Sequence, residues 1–231
     1  MHINIQPLEK RIDSDGSILK VHSIFDTIQG EGPFTGHPAV FVRLAGCNLQ
    51  CPGCDTDYTS VRHDMTPMNI LANVHNCRTP PHLVVITGGE PFRQNITPVV
   101  KELGSLGYTV QIETNGTLPP SPGFPRWPTV VCSPKAGKIN PALAERANYF
   151  KYVLAHDSVD HTDGLPTLAL GHSAAPRVAR PPANYNGRVY LQPMDPQDET
   201  EYKRNVQAVV ASCMKFGHIL QLQTHKIIEV E

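Results

Sequence analysis

Leu83-Val84-Val85-Ile86-Thr87-Gly88-Gly89-Glu90-Pro91 is the stretch on which the fold turns. Its apolar half runs without alternation, as a strand buried on both faces requires, and Gly-Gly and proline end it abruptly. A helical pattern follows from about Thr97 to Leu106, with Val99, Val100, Leu103 and Leu106 on one face. A second strand-like run, Tyr108–Glu113, comes next. Strand, helix and strand at this spacing form a βαβ unit and predict a parallel sheet.

The alternation extends in both directions. Upstream, Ala39–Leu44 is strand-like, and Thr66-Pro67 caps a helix reaching to about Asn76. Downstream, Thr129–Ser133, Tyr149–Leu154, Arg188–Gln192 and Ile219–Gln223 continue the strands, with helices near Pro141–Asn148 and Glu199–Lys215. About six such units fall short of the eight of a closed barrel, so the expected fold is α/β, an open, partial TIM-type (β/α)6 barrel. A single domain spans 1–231. Two regions leave the pattern: an N-terminal extension over 1–22, with a hairpin expected over 9–21 around Asp13-Ser14-Asp15-Gly16, and a long connection over 156–187. A connection of that length in a compact domain is functional or mobile.

Composition narrows the function. The 231 residues carry a net charge of −1, 18% charged and 40% hydrophobic residues, which suits one domain with a sizeable core and argues against disorder. Near-neutral charge gives no basic footprint for nucleic acid. No apolar run approaches the roughly 18–20 residues of a membrane span, and Met1 to Lys10 lack a signal-peptide pattern. A cytoplasmic protein is expected.

Each strand-like run ends in polar or glycine residues. These are Arg43, Thr87-Gly88-Gly89-Glu90-Pro91, Glu113-Thr114-Asn115-Gly116, Ser133-Pro134-Lys135, Gln192-Pro193-Met194-Asp195 and Gln223-Thr224-His225-Lys226. In parallel α/β folds those ends converge on one rim, where ligands bind. Three of the six cysteines, Cys47, Cys51 and Cys54, follow the first of these strands within eight residues. Three thiolates on one short loop suit three irons of a [4Fe-4S] cube, leaving one iron for an outside chelator. A zinc site would want a fourth ligand, for which His63 and then Cys77 are the nearest downstream candidates. Cys77, Cys132 and Cys213 are isolated and read as small apolar residues.

The Cys47-x3-Cys51-x2-Cys54 loop, followed by Thr87-Gly88-Gly89-Glu90-Pro91, resembles the radical S-adenosylmethionine (SAM) superfamily. Within it, the chain resembles the 7-carboxy-7-deazaguanine synthase family from Phe25 to Glu231. The resemblance rests on Thr27-Ile28-Gln29-Gly30-Glu31-Gly32, Phe41 to Leu49, Cys54-Asp55-Thr56-Asp57, Thr87 to Pro91, Ile112 to Gly116, Ser133 to Lys135, Leu191 to Asp195 and Gln223 to Lys226.

The resemblance implies a ring contraction of 6-carboxy-5,6,7,8-tetrahydropterin. A reduced cluster splits SAM, the 5′-deoxyadenosyl radical takes hydrogen from C6, the ring rearranges, ammonia is lost and SAM is regenerated. It implies Cys47, Cys51 and Cys54 as cluster ligands and Thr56 as a Mg²⁺ ligand, the ion keeping waters and taking oxygens from substrate. SAM contacts would come from Gly53, Cys54, Asp55, Gly89, Ser133, Pro134, Lys135, Gln192, Pro193, Met194 and Asp195. Substrate contacts would come from Ile28, Gln29, Gly30, Arg43, Thr87 and Glu231, the last through its own α-carboxylate. Arginine at 43 suits a carboxylate because the guanidinium pairs bidentately. Glu31, Glu90, Glu113, Asn115 and His225 are weaker candidates. An electron donor of flavodoxin or ferredoxin type and a homodimer are also implied. Two other readings stay open: a glycyl-radical-enzyme activase, and a zinc-binding interaction module.

Overall fold

Alternation along the central strands decides which side chains can reach a site. The computed structural model describes residues 3–77, 82–172 and 177–231. Among the described residues nine strands form one sheet: β1 (Leu19–Ile28), β2 (Pro38–Leu44), β3 (His63–Met65), β4 (Leu83–Gly88), β5 (Thr109–Thr114), β6 (Thr129–Cys132), β7 (Tyr149–Leu154), β8 (Val189–Pro193) and β9 (Ile219–Leu220). Their order is β3-β1-β2-β4-β5-β6-β7-β8-β9. From β2 to β9 all pairings are parallel, while β1 runs antiparallel to both β2 and β3.

One face of this sheet is dry. Val40, Val42 and Leu44 of β2, Val84 and Ile86 of β4, Val110 and Ile112 of β5, and Phe150, Tyr152 and Leu154 of β7 are buried in the main core. They pack with Ile70 and Val74 of α1 (Pro67–His75), Val99, Val100 and Leu103 of α2 (Thr97–Ser105) and Val209 of α4 (Glu199–Phe216). Full burial of each such side chain contributes about 1.5–3 kcal/mol. Because side chains alternate across a strand, the intervening residues Arg43, Thr87, Glu113, Lys151 and Gln192 go to the other face. That face carries the site.

The helices start where short polar side chains can meet their free N–H groups. Thr66 accepts from the Asn69 N–H ahead of α1, with Pro67 in the first turn, and Asp198 accepts from the Glu201 N–H ahead of α4. Gly217 ends α4 in the left-handed region at φ 77°.

Besides the unexpected antiparallel strands β1 and β3, the structure departs from the sequence expectation in four ways. The hairpin expected over 9–21 is not formed. Asp15 and Gly16 do turn, with the Ser17 N–H donating to Asp15 at 2.8 Å. The chain on either side pairs elsewhere: Glu9 with the loop after β2, and Leu19 to Val21 with β3. Second, the (β/α)6 repeat is incomplete: among the described residues no α-helix lies in the crossover 115–128 between β5 and β6, nor in 155–188 between β7 and β8, the long connection expected to leave the pattern. Pro119, Pro120, Pro122, Pro125 and Pro128 in the first, and Pro166, Pro181 and Pro182 in the second, deny the backbone donors a helix needs. Leu118 and Phe124, and then Leu165, Ala169, Val178 and Tyr185, cover the core there instead. Third, α3 (Pro141–Ala144) is a single turn. Fourth, β9 keeps only two residues, and a last turn, α5 (Thr224–Ile227), follows it. Among the described residues no helix is long and apolar enough to cross a membrane.

Candidate active site

The loop after β2 is shaped by close backbone approaches. Gly46, at φ 84°, donates its N–H to the Tyr58 carbonyl at 2.8 Å, and a side chain there would strike the buried guanidinium of Arg93. The Cys54 N–H closes back on the Cys51 carbonyl at 3.1 Å. All three cysteines of the loop are free thiols lining one cavity of about 660 Å³. Burial pushes Cys47 up to about 12 and Cys51 up to about 11, and raises Cys54. Such thiols keep their protons until a metal displaces them.

The turn after β4 lies against this loop. A Cβ on Gly89 would sit 2.2 Å from the Gly46 carbonyl oxygen and 2.7 Å from the Cys47 Cβ, so only glycine fits. Gly88 takes φ 133° for a similar reason, with the Leu44 carbonyl oxygen 2.1 Å from where its Cβ would be. Glu90 turns away from the cavity. Its carboxylate accepts from the Phe92 N–H at 3.0 Å, the Thr114 hydroxyl at 2.8 Å and the Asn115 N–H at 2.7 Å. Burial raises it to about 7 in spite of those three donors.

The inner face of the sheet supplies a charged floor. Lys151, on β7, donates to Glu31 and, at 2.9 Å, to Glu113. Burial alone would raise Glu31, but the charge and hydrogen bond of Lys151, with the Gln223 amide and nearby His225, bring it down to about 2. Glu113, which besides Lys151 has only the Gln111 amide, stays raised by burial and by the neighbouring Glu31. Lys135, bonded to Ser133, is lowered by burial and by Lys151.

The mouth is built by β2, β1 and the C-terminal residues. The Arg43 guanidinium lies 4.9 Å from the centroid of the Phe25 ring, which itself stacks on Phe41, and stands 3.2 Å from the Glu231 side-chain carboxylate. The Thr27 hydroxyl donates to the Glu231 main-chain oxygen at 2.6 Å. The Thr224 N–H meets the Gly30 carbonyl at 3.2 Å, and His225 packs so closely on Gly30 that a Cβ there would sit 2.0 Å from its ring. Lys226 bridges Asp55 at 3.3 Å and Asp195 at 3.0 Å across the opening.

The cavity wall thus includes Cys47, Cys51, Gly53, Cys54, Asp55 and Thr56 from the loop, and Ile28, Gln29, Gly30 and Glu31 from the chain after β1. Arg43, Thr87, Gly89, Glu113, Asn115, Ser133, Lys135, Gln192, Pro193, Met194, Asp195, His225 and Glu231 complete the set. Glu90 and Pro134 lie behind the wall, both buried. Sequence reasoning missed Lys151, Phe25 and Phe41, and gave Gln223 and Lys226 no role beyond their strand-end motif, though all five line the cavity. A lysine in the middle of an otherwise apolar buried strand was the available signal for Lys151.

Comparison with known proteins places this geometry in a family. No family model matches the chain. It is, however, 43% identical over 228 residues to the 7-carboxy-7-deazaguanine synthase of Rhodospirillum rubrum, covering 94% of each chain. The synthase of Rickettsia prowazekii is 37% identical over 236 residues, covering 97% of this chain and 94% of the relative. The chain belongs to the 7-carboxy-7-deazaguanine synthase family. The crystal structure of QueE from Escherichia coli superposes with a TM-score of 0.68 at 25% identity, over 89% of this chain and 93% of that one.

The 7-carboxy-7-deazaguanine synthases are radical SAM lyases that carry out a ring contraction in 7-deazapurine biosynthesis, and the family implies a [4Fe-4S] cluster and SAM. The residues fit that pair. Three soft thiols face one open cavity, and among the described residues no three His, Cys, Asp or Glu side chains converge on a point as a single ion would require. A cube, three of whose irons would each take one thiolate, suits three thiols spread along a wall.

Proposed function

We propose that this chain converts 6-carboxy-5,6,7,8-tetrahydropterin to 7-carboxy-7-deazaguanine with loss of ammonia. When bound, the reduced cluster and SAM supply the 5′-deoxyadenosyl radical that starts the reaction. Cys47, Cys51 and Cys54 hold the cluster. Gly53 to Asp55, Gly89, Ser133 to Lys135 and Gln192 to Asp195 form the SAM side of the cavity, with Pro134 setting the turn from behind. Thr56 is the protein ligand to Mg²⁺, whose other positions go to water and substrate oxygens.

Arg43 pairs with the substrate carboxylate, its guanidinium already oriented by the Phe25 ring. Ile28, Gln29, Gly30, Thr87 and Glu231 hold the rest of the pterin. Glu31 and Glu113 share the Lys151 ammonium, and their carboxylate oxygens offer acceptors to the N–H donors of the pterin edge. Asn115 and His225 border the same space, and Glu90 serves by fixing the β5 end. A flavodoxin- or ferredoxin-type donor supplies the electron, and the chain acts as a cytoplasmic homodimer.

The observation that carries this reading is that the three thiols, the Gly89 turn and Arg43 line one cavity. The test is anaerobic reconstitution followed by turnover of 6-carboxytetrahydropterin with SAM and reductant. The expected result is a brown protein that releases ammonia and gives a product of the contracted mass. SAM cleavage without ammonia release points to another substrate, and a colourless protein with tightly held zinc overturns the radical reading.

A further inference from the structure

Residues 3–12 form no regular helix or strand, yet they run along the three-cysteine loop with their polarity inverted. Asn4 is buried and Gln6 half-buried, while Ile3, Ile5 and Leu8 are exposed. The loop accounts for the inversion. A loop that aims three thiols into a cavity cannot satisfy its own backbone in a ladder, so donors must come from outside.

This segment provides them. The Asn4 N–H donates to the Pro52 carbonyl at 2.9 Å, and its side-chain amide to the Cys51 carbonyl at 3.1 Å and the Tyr58 hydroxyl at 3.2 Å. The Gln6 side chain donates to the Thr56 carbonyl at 2.8 Å and accepts from the Tyr58 N–H at 2.8 Å and the Thr59 hydroxyl at 3.0 Å. Two residues on, Leu8 forms an isolated parallel bridge with Cys47, and the Glu9 N–H reaches the Cys47 carbonyl at 2.7 Å. Behind the loop, the buried Arg93 ties the Lys10 carbonyl at 3.0 Å to the Ala45 carbonyl at 2.9 Å. One segment therefore meets the backbone at two of the three cysteines and on both sides of the third.

We propose that residues 4–9 are a strap, with Asn4 and Gln6 as its positioning residues, that holds the Cys47–Cys54 loop in the form that retains the iron–sulfur cluster. This rests on the cluster reading above. Neither side chain touches a cysteine sulfur, so the effect runs through the loop backbone.

The test compares the full-length chain with Asn4→Ala/Gln6→Ala, with Gln6→Leu alone, and with Ile3→Ser as a surface control. Two rates are read: loss of iron from the reconstituted protein to a chelator, and alkylation of Cys47, Cys51 and Cys54 in the metal-free protein by iodoacetamide, located by mass spectrometry. Each lost hydrogen bond is worth about five-fold. Both rates should rise at least that much in the strap variants and stay at the native value in Ile3→Ser. If the double variant unfolds, Gln6→Leu decides. Native rates in a folded strap variant overturn the proposal, as does faster alkylation without faster iron loss. If the unaltered chain takes up no iron, the cluster reading fails, and the alkylation rates alone decide whether the strap holds the loop.

Discussion

The Lys151 ammonium stands 2.9 Å from the Glu113 carboxylate, on a face of β7 whose other side packs Phe150, Tyr152 and Leu154 into the core. It also serves Glu31. Removing it leaves two buried carboxylates facing one another. Lys151→Met should therefore destabilise the chain by about 3–5 kcal/mol, read by urea denaturation. The pH dependence should change sign. In the native chain Glu31, held at about 2, favours folding above its ordinary range, and that contribution is lost as pH falls toward about 2. In the variant both carboxylates are raised, so stability falls as pH rises. A variant whose stability does not respond to pH contradicts this account.

Glu90 gives the opposite profile in the native chain. Its carboxyl is raised to about 7 by burial, so the folded state holds the proton more tightly than the unfolded state does. The stability it contributes is complete below the ordinary carboxylate range and is lost as pH climbs through about 7. Glu90→Gln cannot titrate and sets an amide N–H against one of three donors, at a cost of about 1–3 kcal/mol. The gap between native and variant chains should narrow from pH 4 to pH 8. A constant gap would show that Glu90 is not titrating there.

Gly89→Ala tests the contact between the β4 turn and the cysteine loop. The added methyl would lie 2.2 Å from the Gly46 carbonyl oxygen, so one of the two backbones must move. The expected cost is about 1–3 kcal/mol of stability, together with loss of iron uptake on reconstitution. Full iron content in this variant would mean that the turn and the loop are independent.

Arg43→Ala separates substrate binding from cluster chemistry. We expect kcat/KM to fall by an amount equivalent to roughly 2–5 kcal/mol, with iron content unchanged. Arg43→Lys should restore only part of it, because an ammonium loses the bidentate fork and sits less well on Phe25. Native kcat/KM in either variant removes Arg43 from the substrate site.

Much of this was legible because the parallel strands are dry on one side and end in distinctive residues. Tyr149–Leu154 appears with its expected bounds, and Leu83–Thr87 extends by one residue. β1 was not legible. Leu19 and Val21 bury alternately, but a register shift between Val21 and Ser23 breaks the period, leaving Lys20, His22, Ser23 and Asp26 to read as loop. The six-unit count overstates the helices because it passes through the proline-rich crossover 115–128, whereas 156–187 already reads as a long connection outside the pattern. Gln221 and Gln223 leave β9 early because their side chains are drawn inward, to the Gly32 N–H at 2.8 Å and to Glu31 at 2.8 Å. The strap was invisible for a different reason: its partners lie more than 35 residues away, and no local pattern encodes them.

Lys226 and Lys151 each hold two carboxylates, but in different surroundings. The Asp55–Lys226–Asp195 bridge at the mouth is open to water, whereas the Glu31–Lys151–Glu113 floor is largely buried. Dissolved ions screen exposed pairs over about 10 Å at 0.1 M and barely reach buried ones. Ionic strength therefore acts on this enzyme selectively, loosening the entrance and the exchange of small molecules through it while the foundation of the cavity stays as it was.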